Sequence, residues 1–243
     1  MPPQFLFSTN LQLGDQSPDG FHQELLRGLA HKLNNLIGVI QGFGSLIQMN
    51  GELDESDQES MQHIKEASVN IYTLSERIRA AGGCANVRLQ SLNLPDYLNA
   101  VSASFHEPFL LADVPFEMQL GENIPAVQVD PAKFKVILLE LLKNAAESSQ
   151  TTGGSAGMRV TAPGVVSPLE ENRVDILVTN TGAEISAEKL PAVFQPFSGS
   201  KAGNHLGLGL TIAAMLAHQT GIKLGIASDA GKTTCWMSVP VAE

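Results

Sequence analysis

The sequence predicts two structural parts: an N-terminal helical hairpin that forms a dimeric four-helix bundle, and a C-terminal α+β sandwich of helices on one sheet face. Apolar residues recur every three or four positions over about residues 20–49 and again up to about residue 81, which is typical of two amphipathic helices. After residue 84, short strand patterns mix with helices without regular βαβ alternation. We therefore expect a tail (residues 1–19), a hairpin (20–83) and a sandwich domain (84–243).

The first predicted helix carries an unusual exposed face. Its apolar stripe comprises Leu26, Leu29, Leu33, Leu36, Ile40, Phe43 and Ile47. His31 lies off this stripe, turned by about 200° from its nearest preceding member, so its imidazole should face solvent. Asn35 follows one turn later on the same face, with Gly38 and Gly42 beyond it. This arrangement suits a reactive histidine that a partner must reach, although this window alone favours an ordinary solvated surface histidine.

The second predicted helix begins at Asp54 or Ser56 and ends at Gly82–Gly83. Its apolar seam comprises Ile64, Ala67, Ile71, Leu74 and Ile78. A hairpin of two such helices leaves one apolar face uncovered, and a second copy of the chain is the natural cover. The alternative is that the hairpin packs on its own C-terminal domain. Because the seam runs the full length of both helices, the sequence favours a homodimer.

The C-terminal part contains recognisable helices and strands. We expect helices at about Pro95–Phe105, Val136–Ser149 and Leu208–Gln219, and strands at Phe116–Leu120, Met158–Thr161, Val174–Val178, Ile222–Ile226 and Cys235–Val239. Pro95 fits the first turn of its helix, and glycines precede the last of the three helices.

Composition narrows the class of protein. The formal net charge is −10 and no basic stripe is present, which disfavours nucleic-acid binding. No apolar stretch approaches the ~18 residues of a membrane helix, and no signal-peptide pattern opens the chain. We therefore expect no membrane partner and a cytoplasmic location. Cys84 and Cys235 are expected to be free thiols.

Five blocks of residues follow one another in a distinctive order. They are the helix around His31, the pair Glu140 and Asn144 four residues apart on one helix face, Asn180–Thr–Gly182, Phe194 and Phe197 followed by Lys201, and His205–Leu–Gly207–Leu–Gly209. In order, spacing and residue type they resemble the phosphoacceptor helix, asparagine box, first glycine box, phenylalanine box and second glycine box of the sensor histidine kinases of two-component signalling. The resemblance covers about residues 21–243.

The resemblance implies a histidine-kinase-type ATPase fold with ATP between the asparagine-box helix and a mobile lid. Asn144 corresponds to the family's Mg²⁺ ligand. Glu140 stands where related ATPases hold a general base, or it orients the metal's water. Lys143 either reaches a phosphate or is a solvated surface lysine.

The lid and the glycine boxes supply the other predicted nucleotide contacts. Lys201 is expected to contact phosphate, as are the backbone N–H groups of Gly207 and Gly209 at a helix N-terminus. Asn180 and Gly182 correspond to the adenine-selecting segment.

The chain departs from the family pattern at four positions. Lys32 replaces the acid that activates the histidine, and Asn180 replaces the adenine-binding aspartate, so the adenine contact loses its charge. Glu184 and His205 stand at glycine positions. Asn35, which in the family orients water to hydrolyse the partner's acyl phosphate, is retained.

The resemblance implies a two-component histidine kinase core. Phosphate is carried on His31 and passed to or from an aspartate of a response regulator receiver domain, with ATP and Mg²⁺ as cofactors. An upstream sensor or hybrid kinase is a further expected partner. Two alternatives stay open: a histidine phosphotransferase or phosphatase with a degenerate ATP-binding domain, and a catalytically silent scaffold that dimerises with kinases.

Overall fold

The computed structural model describes residues 12–13, 32, 35–36, 38–40, 42–43, 46–47, 55–83, 85–166, 172–198 and 207–243. The described residues between 32 and 47 are helical, and the predicted stripe is half-buried at Leu36, Ile40, Phe43 and Ile47. Asn35, Gly38 and Gly42, which lie off the stripe, are exposed. This pattern agrees with the predicted periodicity. His31 and the predicted ends of the first helix lie outside the described residues.

Helix α1 spans Glu55–Ala81, close to the predicted second helix of the hairpin. Its C-terminal end packs on the C-terminal domain, because Ala81 belongs to that domain's core and Ile78 packs against it. Gly83 then adopts φ +71°, a left-handed conformation that favours glycine at a helix end. The end of α1 therefore follows the alternative in which the hairpin packs on its own chain, while the dimeric four-helix bundle stays a prediction.

The remaining elements alternate between strands and helices. The strands are β1 (Gln12–Leu13), β2 (Gln90–Leu92), β3 (Phe116–Leu120), β4 (Val127–Val129), β5 (Ala156–Thr161), β6 (Arg173–Thr181), β7 (Lys223–Asp229) and β8 (Lys232–Pro240). The helices are α2 (Leu94–Ala112), α3 (Pro131–Gln150) and α4 (Gly209–Gln219), with a 3₁₀ turn at Leu190–Ala192.

Six strands form one sheet in the order β1-β7-β8-β6-β5-β3, in which β3 and β5 are parallel and all other pairs are antiparallel. Strands β2 and β4 form a separate antiparallel pair. Helices α3 and α4 pack on each other and on this sheet, and α2 packs on α3. The core between these layers includes the fully buried side chains of Phe105, Phe134, Ile137, Leu141, Ile176 and Met237. The predicted α+β sandwich is therefore confirmed.

Helix α2 is longer than the sequence pattern predicts. It continues past Phe105 to Ala112 although Pro108 lies inside it. Phe109 is buried and its ring stacks on Phe116 of β3, with centroids 4.0 Å apart. We attribute the extra two turns to this contact, which offsets the N–H group that Pro108 lacks.

Strand β1 is a second difference, because it lies in the segment predicted to be a tail. Gln12 and Leu13 pair with β7 at one edge of the main sheet. Strands β2 and β4 were also not predicted; each has three residues, too few to show a period of two.

The sequence predicts that no helix crosses a membrane and that the cysteines are free thiols, and both predictions can be compared with the described residues. None of the helices in this part of the chain has both the length and the apolar character needed to cross a bilayer. Cys235 is a free, buried thiol, and burial raises its pKa to about 12, so it is unreactive at neutral pH. Cys84 lies outside the described residues.

Candidate nucleotide-binding site

The start of helix α3 is fixed by an N-cap residue and a proline in the first turn. Asp130 is its N-cap, and its Oδ1 accepts hydrogen bonds from the backbone N–H groups of Ala132 (3.0 Å) and Lys133 (3.1 Å). Pro131 occupies the first turn, where its missing N–H has no intrahelical partner to lose. The cap fixes the start of the helix and thereby the direction in which the residues of the asparagine box point.

The first part of the site is the contact between α3 and the N-terminus of α4. A Cβ on Gly209 would lie 2.8 Å from Glu140 Oε2 and 3.5 Å from Asn144 Nδ2. A side chain at this position would therefore displace the Glu140 carboxylate from its present place. The structure brings together three predicted site residues, Glu140, Asn144 and Gly209, although they come from blocks far apart in the sequence.

Asn144 has the chemistry expected of a nucleotide-site residue. Its Nδ2 is buried and has no hydrogen-bond partner within the described part of the chain. A buried amide in this state is available to pair with a ligand or with an ordered water. The side-chain oxygen is the hard donor that Mg²⁺ prefers, and a nucleotide-borne Mg²⁺ needs few protein ligands. The described residues contain no cluster of three His, Cys, Asp or Glu side chains, and Asn144 as the Mg²⁺ ligand stays a prediction.

Glu140 is engaged by a residue of the hairpin. Its Oε1 lies 2.8 Å from Nη1 of Arg77 on α1, and its Oε2 accepts a hydrogen bond of 3.3 Å from Nη2 of the same guanidinium. The glutamate is 8% exposed. In this conformation both carboxylate oxygens face Arg77, and the role of Glu140 as a base or as a partner of a metal-bound water stays a prediction.

The second part of the site lies at the end of β6. Asn180 is 5% exposed, and its Nδ2 is buried without a hydrogen-bond partner among the described residues. A Cβ on Gly182 would lie 2.8 Å from Ser148 Oγ, 3.0 Å from the Ser148 backbone oxygen and 3.3 Å from Asn180 Nδ2. Glycine therefore allows the first glycine box to pack against the last turn of α3.

The base of the predicted lid is closed by backbone contacts. The N–H of Phe197 donates to the carbonyl of Gly207 over 2.9 Å, and both residues have positive φ values, 61° and 63°. Phe194 is buried, and its carbonyl accepts a hydrogen bond of 2.9 Å from Thr211 Oγ1 on α4. The two ends of residues 198–206 are thus held together. Lys201 and His205 lie within this segment, outside the described residues.

Two predicted positions lie on the surface. Lys143 is exposed on α3, which favours the surface lysine over the phosphate contact. Glu184 is exposed after the first glycine box, so its bulk meets solvent rather than the tightly packed position of Gly182.

Two residues near the site were not predicted. Ser148 lies four residues after Asn144 and eight after Glu140, and this helical spacing was the available signal. Arg77 gave no such signal, because the 63 residues that separate it from Glu140 leave the pairing to tertiary structure.

The fold and site define the class of the C-terminal domain. Residues 129–243 match the family described as histidine kinase-, DNA gyrase B-, and HSP90-like ATPase. Over 225 residues the chain is 26% identical to the sensor histidine kinase ZraS of Escherichia coli K12, covering 89% of this chain and 45% of that protein. It is 28% identical over 223 residues to the sensory histidine kinase/phosphatase NtrB of Proteus hauseri, covering 90% and 62%.

Solved structures show the same fold. The full-length kinase ShkA in complex with AMPPNP aligns with a TM-score of 0.62 at 18% identity, covering 90% of this chain and 46% of that one. The kinase ThkA in complex with the response regulator TrrA also gives 0.62, at 19% identity, covering 90% and 61%. Residues 129–243 therefore match this ATPase family, and over most of its length the chain is similar to sensor histidine kinases. It spans about half the length of the curated relatives it matches.

Proposed function

We propose that this chain is the core of a two-component histidine kinase that carries phosphate on His31 and exchanges it with an aspartate of a response regulator receiver domain. The observation that carries the proposal is the meeting of Glu140, Asn144 and Gly209, which joins the asparagine box to the N-terminus of the glycine-box helix. A helix N-terminus beside a buried, unpaired amide suits a polyphosphate.

ATP with Mg²⁺ is the proposed cofactor. Asn144 would hold the metal through its side-chain oxygen, and the backbone N–H groups of Gly207 and Gly209 would donate hydrogen bonds to phosphate oxygens. Mg²⁺ supplies neutralisation of the phosphate charge when it is bound. Asn180 and Gly182 are proposed to border the adenine ring. Lys201 is proposed to contact the phosphates from the lid.

The hairpin is the proposed phosphotransfer element. Asn35 is helical and exposed, so its amide is accessible to a docked partner. Lys32 cannot accept the Nδ1 proton of His31, and its charge disfavours a protonated imidazole. Both properties suit transfer from a phosphorylated receiver domain better than attack on ATP.

The second candidate function is a histidine phosphotransferase or phosphatase with a weakened nucleotide domain. Four substitutions favour it: Lys32, Asn180, Glu184 and His205. NtrB of Proteus hauseri is named both a kinase and a phosphatase, so both directions occur among the relatives. For this chain we further propose a homodimer, a cytoplasmic location and, as input, an upstream sensor or hybrid kinase.

Labelling with Mg-[γ-³²P]ATP tests the proposal. The native protein should acquire slow, acid-labile and base-stable label. His31→Ala should acquire none, because the acceptor is gone. Asn144→Ala should lose labelling by ATP but keep labelling by phosphorylated receiver domains. Label retained in His31→Ala would overturn the proposal.

A further inference from the structure

We propose that Arg77, supplied by the hairpin helix, is a positioning residue of the nucleotide site: it neutralises Glu140 and so allows an anionic ligand to bind between Asn144 and Gly209. The inference rests on the proposed function of this site, and it adds to it a residue from outside the ATPase domain.

The geometry of the pair is the first argument. The guanidinium meets both carboxylate oxygens, at 2.8 and 3.3 Å, and the carboxylate also abuts Gly209. Glu140 is thus placed directly at the helix N-terminus where phosphate oxygens are expected. Its negative charge would repel them unless a cation is held on it.

Two unpaired donors are the second argument. Arg77 Nε and Asn144 Nδ2 are both buried without a hydrogen-bond partner among the described residues. Buried donors are normally paired in native proteins. One of these donors belongs to the residue that pairs with Glu140 and the other lies with Glu140 beside Gly209, so an acceptor-rich group such as a polyphosphate suits this region.

Arg77 lies on a helix of the hairpin, so the proposal has a consequence for phosphotransfer. Phe43 stacks on His63 of α1 with centroids 4.6 Å apart. If the two helices run antiparallel with Phe43 opposite His63, then Lys32 lies opposite Leu74. Arg77 follows Leu74 by three residues and therefore lies about one helical turn beyond Lys32. Nucleotide binding is therefore coupled to docking of the ATPase domain beside the phosphotransfer segment.

Calorimetric titration of the full chain with Mg-AMPPNP tests this proposal through the signs of the two single substitutions. Arg77→Gln should weaken binding at least about tenfold, because it leaves Glu140 unneutralised. Glu140→Gln should tighten binding, because it removes the negative charge beside the phosphates and leaves the Arg77 charge in place. The double variant should return to within about threefold of native, and Arg77→Lys should stay close to native.

Arg159→Gln, on the exposed strand face, makes the same charge change away from the site and should bind as the native protein does. A purely structural role predicts that Arg77→Gln and Glu140→Gln weaken binding equally, and that result would overturn the proposal. If Arg77→Gln does not fold, Glu140→Gln alone decides, since weaker binding contradicts the neutralising role. Native binding with no change in any variant overturns this inference and leaves the proposed function intact. Absence of binding in every protein overturns both.

Discussion

The carboxylate of Asp130 accepts a hydrogen bond from the backbone N–H of Arg88 at 2.8 Å, in addition to the two N–H groups that it caps on α3. Arg88 lies in the segment that leaves the hairpin, whereas Asp130 begins the helix of the asparagine box. One buried side chain therefore fixes the connection between the two parts of the chain and the start of the nucleotide site.

Replacing Asp130 with Ala should lower the free energy of unfolding by about 2 kcal/mol at neutral pH, because the helix cap and the Arg88 contact are lost together. Urea denaturation followed by circular dichroism measures the difference. Asp96→Ala is the matched control, since Asp96 is an exposed first-turn residue of α2. A loss no larger than that of the control would contradict the anchoring role.

The same loss should shrink in acid. Burial alone would raise the pKa of Asp130, but the N–H groups of Arg88, Lys133 and Ala132 outweigh it and hold the pKa below its ordinary value. Because the pKa of Asp130 is lower in the folded state, the stabilisation that the ionised carboxylate provides is fully present above its ordinary pKa of about 3.9. This stabilisation disappears as the pH falls through the pKa of the folded state. A native-to-Asp130→Ala difference that stays constant down to pH 2 would contradict this cause.

The predicted dimer rests on the apolar stripe of the hairpin, and its members Ile40 and Phe43 are half-buried among the described residues. Replacing both with Glu should convert dimers into monomers in light scattering, because a second copy is expected to cover the stripe. Leu110→Glu with Leu111→Glu is the control, since these residues of α2 are 79% and 81% exposed and belong to the ATPase domain. Dimers that persist in the first variant would place the interface elsewhere.

Asn180→Asp should tighten ATP binding. A carboxylate accepts a hydrogen bond from the adenine amino group more strongly than an amide oxygen does. The side chain at position 180 is buried, since Asn180 is 5% exposed. Native binding is expected between micromolar and millimolar, about −8 to −4 kcal/mol, and the variant should gain roughly tenfold. Calorimetry with Mg-ATP measures both, with exposed Asn99→Asp as the charge-matched control. Weaker binding by Asn180→Asp would show that the position does not select adenine as proposed.

Gly182→Ala should destabilise the fold by about 1–3 kcal/mol, because the added carbon overpacks against Ser148 at 2.8 and 3.0 Å. Gly157→Ala is the control, since its nearest contact is an ordinary 3.4 Å from the Glu117 backbone oxygen. Thermal unfolding compares the two. Equal melting temperatures would mean that α3 can shift away from the first glycine box without cost.

Elements with strong local signals could be predicted from the sequence, and those that depend on distant contacts could not. Strand β3 was predicted with its observed bounds, and α3 was predicted from its apolar period and its residues Glu140 and Asn144. The extension of α2 depends on Phe109 meeting Phe116, and short strands have no period to detect. The Arg77 contact similarly joins residues 63 positions apart, so only tertiary structure reveals it.

Transfer of label from receiver domains tests the central claim, that His31 carries phosphate, most directly. A panel of response regulator receiver domains is phosphorylated with [³²P]acetyl phosphate and mixed with the native protein or with His31→Ala. We predict acid-labile, base-stable label on the native protein, formed faster than with Mg-ATP alone, and none on His31→Ala. Label that survives in His31→Ala, or a native protein that takes no label from any receiver domain or from Mg-ATP, would contradict the account.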